Sequence, residues 1–313
     1  MKLQMLLERV EDLGGGVKEF RFTGSGCDLP PFSAGSSLRI DLPVGRGLSN
    51  AYSLAGDPAE RGSYTIAVRK ESAGRSKGGS VYLHERAAVG EVFTASPPEN
   101  HFAPVRTARR HLLVAGGIGA TPFAAFEAEL ARWGAEREAH YVYRGTGPLA
   151  ERLGARGGRV VLHDTARTGR PDFRALLEGQ PAGTHVYVCG PAGMIRDVAE
   201  AAVRAGWPEE AVHSERFSAP VAAPGREFTA RLARTGAEVR VASGETLLEA
   251  LEREGLGVPF SCRVGGCGTC RVGVVRGGVE HRDTCLTDSE REEGRAMMAC
   301  VSRAENGEVV LDL

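Results

Sequence analysis

Hydrophobic and polar positions divide the chain into three textures. Up to residue 107, short apolar–polar runs recur between turn residues: VKEFRF (17–22), SLRIDL (37–42), SYTIAV (63–68) and EVFTAS (91–96). Many short runs separated by Gly, Pro and Asp predict strands that close into a barrel. From 108 to 220 strand and helix patterns alternate. HLLVA is followed by FAAFEAELARW, then AHYVYR, RVVLH, DFRALLE, HVYVCG, AGMIRDVAEAAVRAG and AVHSERF. That alternation predicts a parallel α/β sheet. Ala- and Pro-rich SAPVAAPGRE follows and reads as a linker, assigned to 221–229. The last domain, 230–313, is expected to open on two strands joined at Thr235–Gly236, then a helix starting near Ser243 or Glu245.

Two glycine-rich stretches fall at strand ends in the middle domain. LLVAGGIGATPFAAF places Gly116, Gly117 and Gly119 after a strand and Pro122 in the first turn of the next helix. Glycine permits a sharp turn and close ligand approach, and a helix start offers free N–H groups to an anion. YVCGPAGMI repeats the arrangement at Cys189, Gly190 and Pro191. Ligands of open α/β sheets bind outside the carboxyl ends of the strands, so two such loops predict a nucleotide site. The spacing is not G-x-G-x-x-G, which points to another lineage than the usual dinucleotide fold.

In the first domain, AYSLAGDP offers the Tyr52 ring and the Ser53 hydroxyl to a flat ligand. VRKESAGRSKGGSVYLHE sets Arg69, Lys70, Arg75 and Lys77 before Gly78–Gly79–Ser80 and a helix from Val81. Basic side chains beside a Gly-Gly-Ser helix start suit a phosphate.

Charge narrows the partners. Lys and Arg total 39 against 40 Asp and Glu, a net charge of −1, so neither a nucleic acid nor an acidic membrane is expected. No apolar run reaches the roughly 18 residues that span a bilayer. MKLQMLLERVEDLGGG turns acidic too early for a secretion signal. The seven cysteines are odd in number, and four of them crowd into 262–285. This is unlike a disulfide framework and predicts a reduced, cytoplasmic protein.

Within VPFSCRVGGCGTCRVG, Cys262, Cys267 and Cys270 follow C-x4-C-x2-C, the plant-type [2Fe–2S] spacing. Gly265, Gly266 and Gly268 let the loop wrap tightly and aim N–H groups inward. Structural zinc usually takes two C-x2-C-type pairs, which this chain lacks. The fourth ligand is Cys285 or Cys300. We assign Cys300, because MMACVSRAENGEVVLDL approaches apolar and leaves on a closing strand. Cys285, Cys27 and Cys189 are then bystanders, with Cys189 near any bound nicotinamide.

In this order YSL (52–54), GGS (78–80), GGIGATP (116–122), CGPAGM (189–194), ERF (215–217), CRVGGCGTC (262–270) and CVSRA (300–304) resemble the phthalate dioxygenase reductase family, which includes vanillate demethylase reductases. The likeness spans almost the whole chain. It implies an antiparallel β-barrel flavin domain at 1–107, an α/β parallel-sheet nicotinamide domain at 108–220 and a β-grasp ferredoxin domain. It further implies that NADH reduces FMN by hydride transfer and that single electrons leave through the [2Fe–2S] cluster. Tyr52, Ser53 and Leu54 would line the flavin, Val68 and Lys70 its isoalloxazine edge, and Gly78, Gly79 and Ser80 its phosphate. Thr121 would stand near the reactive edge and Phe217 over the ring face; with Ser53 they are the expected catalytic residues. Gly116, Gly117, Gly119, Cys189, Gly190 and Pro191 would frame NADH. Cys262 and Cys267 would hold one iron, Cys270 and Cys300 the other.

The family pattern Arg-x-Tyr-Ser reads Asn50-Ala51-Tyr52-Ser53 here, so the phosphate loses an arginine that Arg46, Arg69, Arg75 or Lys77 would replace. Arg144 is expected to be a surface arginine rather than an NADPH contact. The implied partner is a separate Rieske-type terminal oxygenase, met by Arg263, Val264 and Thr269, with a cytochrome P450 as the alternative acceptor. The reductase is expected to be a monomer.

Overall fold

The strand Leu3–Gly14 buries Leu3, Met5 and Leu7 and turns Gln4 outward, the period-2 pattern of a sheet with one wet face. Its pairing with Val17–Gly24 slips between Leu7 and Arg9, a bulge that breaks the alternation after one turn of the pattern. A computed structural model of the chain describes residues 2–44, 48–72, 78–217 and 225–313. Arg46, Arg75, Lys77 and residues 221–224 of the expected linker lie outside the described residues. Contacts divide the chain into Met1–Glu215 and Arg216–Leu313.

The first sheet runs Leu48–Ser53, Ser36–Leu42, Val92–Ala95, Leu3–Gly14, Val17–Gly24 and Ser63–Arg69, with every pairing antiparallel. The chain just past Leu48–Ser53 reaches the other end strand, where Ala55 N–H donates to Thr65 O at 2.8 Å, which closes the expected barrel. Phe20, Phe22, Ile40, Leu54 and Ile66 fill the interior.

The second sheet is parallel throughout, in the order Arg159–Asp164, Glu136–Tyr143, Arg110–Gly116, Thr184–Cys189 and Val212–Glu215. Chain order reverses between Arg110–Gly116 and Thr184–Cys189, and both expected glycine loops leave the sheet there. Barrel and sheet share a core, in which Val17, Ala34, Ala67 and Phe102 pack with Leu113, Phe123, Phe126, Tyr141 and Tyr187. The joint between them is therefore made by apolar burial, the dominant favourable term in packing.

In the second unit, Phe228–Leu232 lies between antiparallel Glu238–Val241 and parallel Glu308–Leu311, and Arg271–Arg276 and Ala296–Met298 complete the sheet. One helix, Leu247–Arg253, packs on this β-grasp sheet through Leu247, Leu248 and Leu251. Its N-cap is Thr246, one residue beyond the expected start, and Glu249 completes a capping box. Among the described residues, no helix is long and apolar enough to cross a membrane.

Candidate functional site

At the reversal of the parallel sheet, three residues from distant segments meet. Ser53 ends a barrel strand, Cys189 ends a central strand, and Glu215 ends the edge strand beside it, in register with Cys189. The Ser53 hydroxyl donates to Glu215 Oε2 at 3.3 Å, and the Cys189 thiol lies 3.9 Å from the same oxygen. Burial pushes the Glu215 carboxyl up to about 7, against the hydrogen bonds from Ser53 and Cys189. Burial, and then Glu215 itself, push the Cys189 thiol up, so it stays protonated. A half-buried carboxyl poised near neutrality at a topological switch point is a candidate reaction site. Sequence reasoning missed Glu215. It stood in the ERF landmark with no role assigned, the charged end of the mixed strand Val212–Glu215.

The glycines explain why two loops can pack here. A Cβ on Gly119 would overlap the carbonyl of Cys189, and one on Gly116 would come within 2.7 Å of Pro191 and Met194. Gly117 has φ +55°, and a Cβ there would lie 3.7 Å from Arg69 Nη1, so that guanidinium borders the nucleotide loop. Thr121 opens the helix Thr121–Trp133, and its buried hydroxyl donates to Ile118 O at 3.0 Å within its own loop. Pro191 N-caps Ala192–Arg204, and Gly190 abuts Gly116.

On the barrel, Gly78 with φ +100° precedes the helix Gly79–Glu85. A Cβ on Gly79 would overlap Asn50 Nδ2 and lie 2.9 Å from Leu42. The residue that replaces the family arginine therefore reaches the Gly-Gly-Ser turn itself, with an amide in place of a charge. The Ser80 hydroxyl accepts Glu71 N–H at 3.1 Å. Lys70 instead pairs with Glu85 at 2.7 Å. Burial raises the Tyr52 hydroxyl to about 12. Leu54 is buried, and the Val68 carbonyl lies 2.8 Å from His84 Nε2. Phe217 lies in the second unit and is exposed.

The cysteine loop has little regular structure, and Arg263 within it adopts φ 58°, a left-handed conformation rare outside glycine. Its guanidinium stacks 3.9 Å from the Phe260 ring centre and pairs with Glu252 at 2.6 Å, which holds the strained turn. The thiols fall into two pairs. Cys262 hydrogen-bonds Cys267, which holds Cys267 down to about 4, and Cys300 hydrogen-bonds Cys270, which lowers Cys270. Backbone N–H groups of Val264 and Gly266 point at Cys262, that of Gly265 at Cys300, and that of Gly268 at Cys285. Thr269 Oγ1 lies 3.2 Å from Cys267 Sγ. Paired thiols ringed by N–H donors fit a two-iron cluster, which takes two thiolates on each iron and disperses its charge into such donors.

Comparison with known proteins agrees. Residues 230–305 match the 2Fe-2S iron-sulfur cluster binding domain, and 92–212 match the N-terminal domain of dimethylamine monooxygenase subunit DmmA-like proteins. The solved phthalate dioxygenase reductase, described as modular for electron transfer from pyridine nucleotides to [2Fe-2S], superposes with a TM-score of 0.76 at 33% identity, covering 100% of this chain and 98% of that one. This chain belongs to the phthalate dioxygenase reductase family. The heme-dependent oxidative N-demethylase beta subunit of Ectopseudomonas mendocina (strain ymp) is 43% identical over 99% of both chains. An intact type IV self-sufficient cytochrome P450 monooxygenase matches at 33% identity and TM-score 0.80; the chain spans 41% of its length. As a member of this family the chain is an oxidoreductase that moves electrons from a pyridine nucleotide through flavin to a [2Fe–2S] centre, and FMN, NADH and that cluster are the set expected from its sequence.

Proposed function

We propose that this reductase draws electrons from NADH and delivers them singly to a separate Rieske-type terminal oxygenase. The observation that carries the reading is the pairing of two unlike redox sites in one chain. One is the Ser53–Cys189–Glu215 junction between barrel and parallel sheet, and the other is the paired cysteines of the second unit.

When bound, flavin takes two electrons from the nicotinamide and returns them one at a time, and the cluster carries each onward. The chain's own residues supply the setting. Gly116, Gly117, Gly119, Gly190 and Pro191 let the two loops pack together at the strand ends, where their backbone would face the dinucleotide, while Arg69 offers it a positive charge. Ser53 and Glu215 hold a proton-bearing pair where nicotinamide and flavin must meet, and Thr121 stiffens the loop beneath them. Tyr52, Leu54 and Val68 give the barrel wall against the ring. Asn50, Gly78, Gly79 and Ser80 receive the FMN phosphate with amide, backbone and hydroxyl donors. Cys262 with Cys267, and Cys270 with Cys300, hold the two irons. Lys70 completes the flavin site in this reading.

The domain limits 1–107, 108–220 and 230–313, a monomeric state and a cytoplasmic setting belong to the same proposal; the seven free cysteines suit a reducing compartment.

Anaerobic titration with NADH tests the chain of transfer. Flavin bleaching should be followed by the rhombic EPR signal of a reduced [2Fe–2S] cluster, and bleaching without that signal overturns the proposal. A heme acceptor is the second reading, favoured by the 43% identical heme-dependent demethylase subunit. Mixing the reduced chain with a Rieske oxygenase and, separately, with a heme-dependent demethylase distinguishes them by which is reduced at the faster rate.

A further inference from the structure

Behind the cysteine loop lies a buried carboxylate to which the function above gives no role. Asp283 is 6% exposed, within the HRDTCL stretch that separates the sheet from the helix Asp288–Glu293. Its Oδ2 accepts Leu286 N–H at 3.0 Å and lies 3.8 Å from both Cys285 Sγ and Arg291 Nη2. Its Oδ1 accepts the Ser302 hydroxyl at 3.3 Å, with His281 Nδ1 at 3.6 Å. Arg291 also donates to the Asp283 carbonyl at 3.1 Å and pairs with Asp288.

This network touches the cluster loop on two sides. Thr284 N–H donates to Gly265 O at 2.9 Å, and a Cβ on Gly265 would lie 3.1 Å from Asp283 Cα. Ser302, which Asp283 holds, is two residues from Cys300. The Gly268 N–H, between two of the expected ligands, points at Cys285 rather than away from it. A charge so enclosed is screened far less than a surface charge.

We propose that Asp283 is a positioning residue of the [2Fe–2S] centre: its buried charge, partly offset by Arg291, lowers the reduction potential of the cluster and fixes the loop that holds it. The assignment rests on the cluster reading above. Reduction adds an electron to the cluster, so a neighbouring negative charge disfavours it and a neighbouring positive charge favours it. Local charge and hydrogen bonding around the ligands tune such centres.

The test is an EPR-monitored redox titration of the full-length chain, with iron content measured alongside. Asp283→Asn keeps an oxygen for Leu286 N–H and removes the charge, so the midpoint should shift upward. Arg291→Gln leaves the carboxylate less compensated, so its midpoint should shift downward. Each shift should change the reduced-to-oxidised ratio at the wild-type midpoint several-fold. A role limited to packing would move occupancy or stability without these opposite signs. If Asp283→Asn loads no cluster, the Arg291→Gln shift alone decides. An unmoved potential in a loaded Asp283→Asn chain, an unmoved Arg291→Gln chain, or shifts of the same sign overturn the assignment. A wild-type chain with no [2Fe–2S] signal overturns the functional reading beneath it as well.

Discussion

In the first unit the Cys189 thiol is wholly buried beside a carboxyl, and both its burial and that neighbour keep its proton in place. In the second unit the Cys267 sulfur receives hydrogen bonds from the Cys262 thiol and nearby donors, and its proton is lost far below the usual thiol range, at about 4. One side chain thus serves two chemistries, and the partners decide which. A thiol kept neutral contributes shape and a weak donor at the proposed nicotinamide site. A thiol ready to ionise is a metal ligand. The two sites also differ in how they are built: three strand ends from across 162 residues of sequence form the first, while a nine-residue loop and one returning cysteine form the second.

The sharpest way to break this comparison is to disable one site and watch the other. Cys300→Ser replaces a soft thiolate by a poor ligand for iron. The rhombic EPR signal and electron delivery to the oxygenase should vanish, while NADH still bleaches the flavin at the wild-type rate. Loss of flavin reduction as well would mean that the two sites are not separable. Glu215→Gln is the converse. Removing a positioned proton-bearing group should slow NADH-driven bleaching about 100-fold, with cluster occupancy unchanged. Stopped-flow absorbance measures it, and a wild-type rate would leave the carboxyl with a structural role only.

The difference in construction explains what could be seen in advance. The cluster was legible because its ligand spacing is local: three cysteines and three glycines within nine residues leave few other uses. The α/β order and both glycine loops were equally plain, since each strand–helix pair announces itself by period. Leu3–Gly14 escaped because the bulge after Leu7 breaks its alternation and the charged Glu8–Glu11 stretch hides the strand. Glu215 escaped because its meaning lies in register with Cys189 and in the reach of Ser53, neither of which leaves a trace along the chain. Arg69 was expected at the phosphate, yet its guanidinium borders Gly117 instead. A long side chain's destination is set by packing, not by its neighbours in sequence.

Titration pulls in two directions within the first unit. Glu215 is raised to about 7 by burial, so between pH 4.5 and 7 the unfolded chain loses a proton that the folded chain keeps. Its contribution to stability therefore falls as pH rises through that window, by about 3 kcal/mol. His213 has the opposite sign. Burial, and then His185 and His111, hold it down to about 4, so stability is lost as pH falls from 6.5 toward 4. Its share is about 2 kcal/mol once screening at a half-buried position is allowed for. His84, His111, His140, His163 and His185 are also lowered by burial, so the acid limb dominates. Both tryptophans, Trp133 and Trp207, lie in the first unit, and their fluorescence reports its unfolding alone. Denaturant melts from pH 4 to 8 should show a steeper acid loss in Glu215→Gln and a shallower one in His213→Gln. Identical slopes in the two variants would refute the assignment of opposite signs.

The smallest effect is expected at the joint of barrel and sheet. Asp57 on the barrel side pairs with Arg132 and, at 2.9 Å, with Arg156. Two arginines on one carboxylate look like a clamp, but both are well exposed to solvent, and such pairs contribute about 1 kcal/mol or less. The shared apolar core of Phe102, Phe123, Phe126 and Tyr187 lies under the same joint and is fully screened from water. Asp57→Asn should therefore lower the fluorescence-monitored stability by no more than that amount and leave flavin reduction by NADH unchanged. A large drop in that rate with intact stability would show that the ion pairs, rather than the core, set the approach of the Ser53 strand to Cys189 and Glu215. The first site would then depend on surface charge, and its bleaching rate would fall with added salt in a way the enclosed cysteine pairs of the second unit would not share.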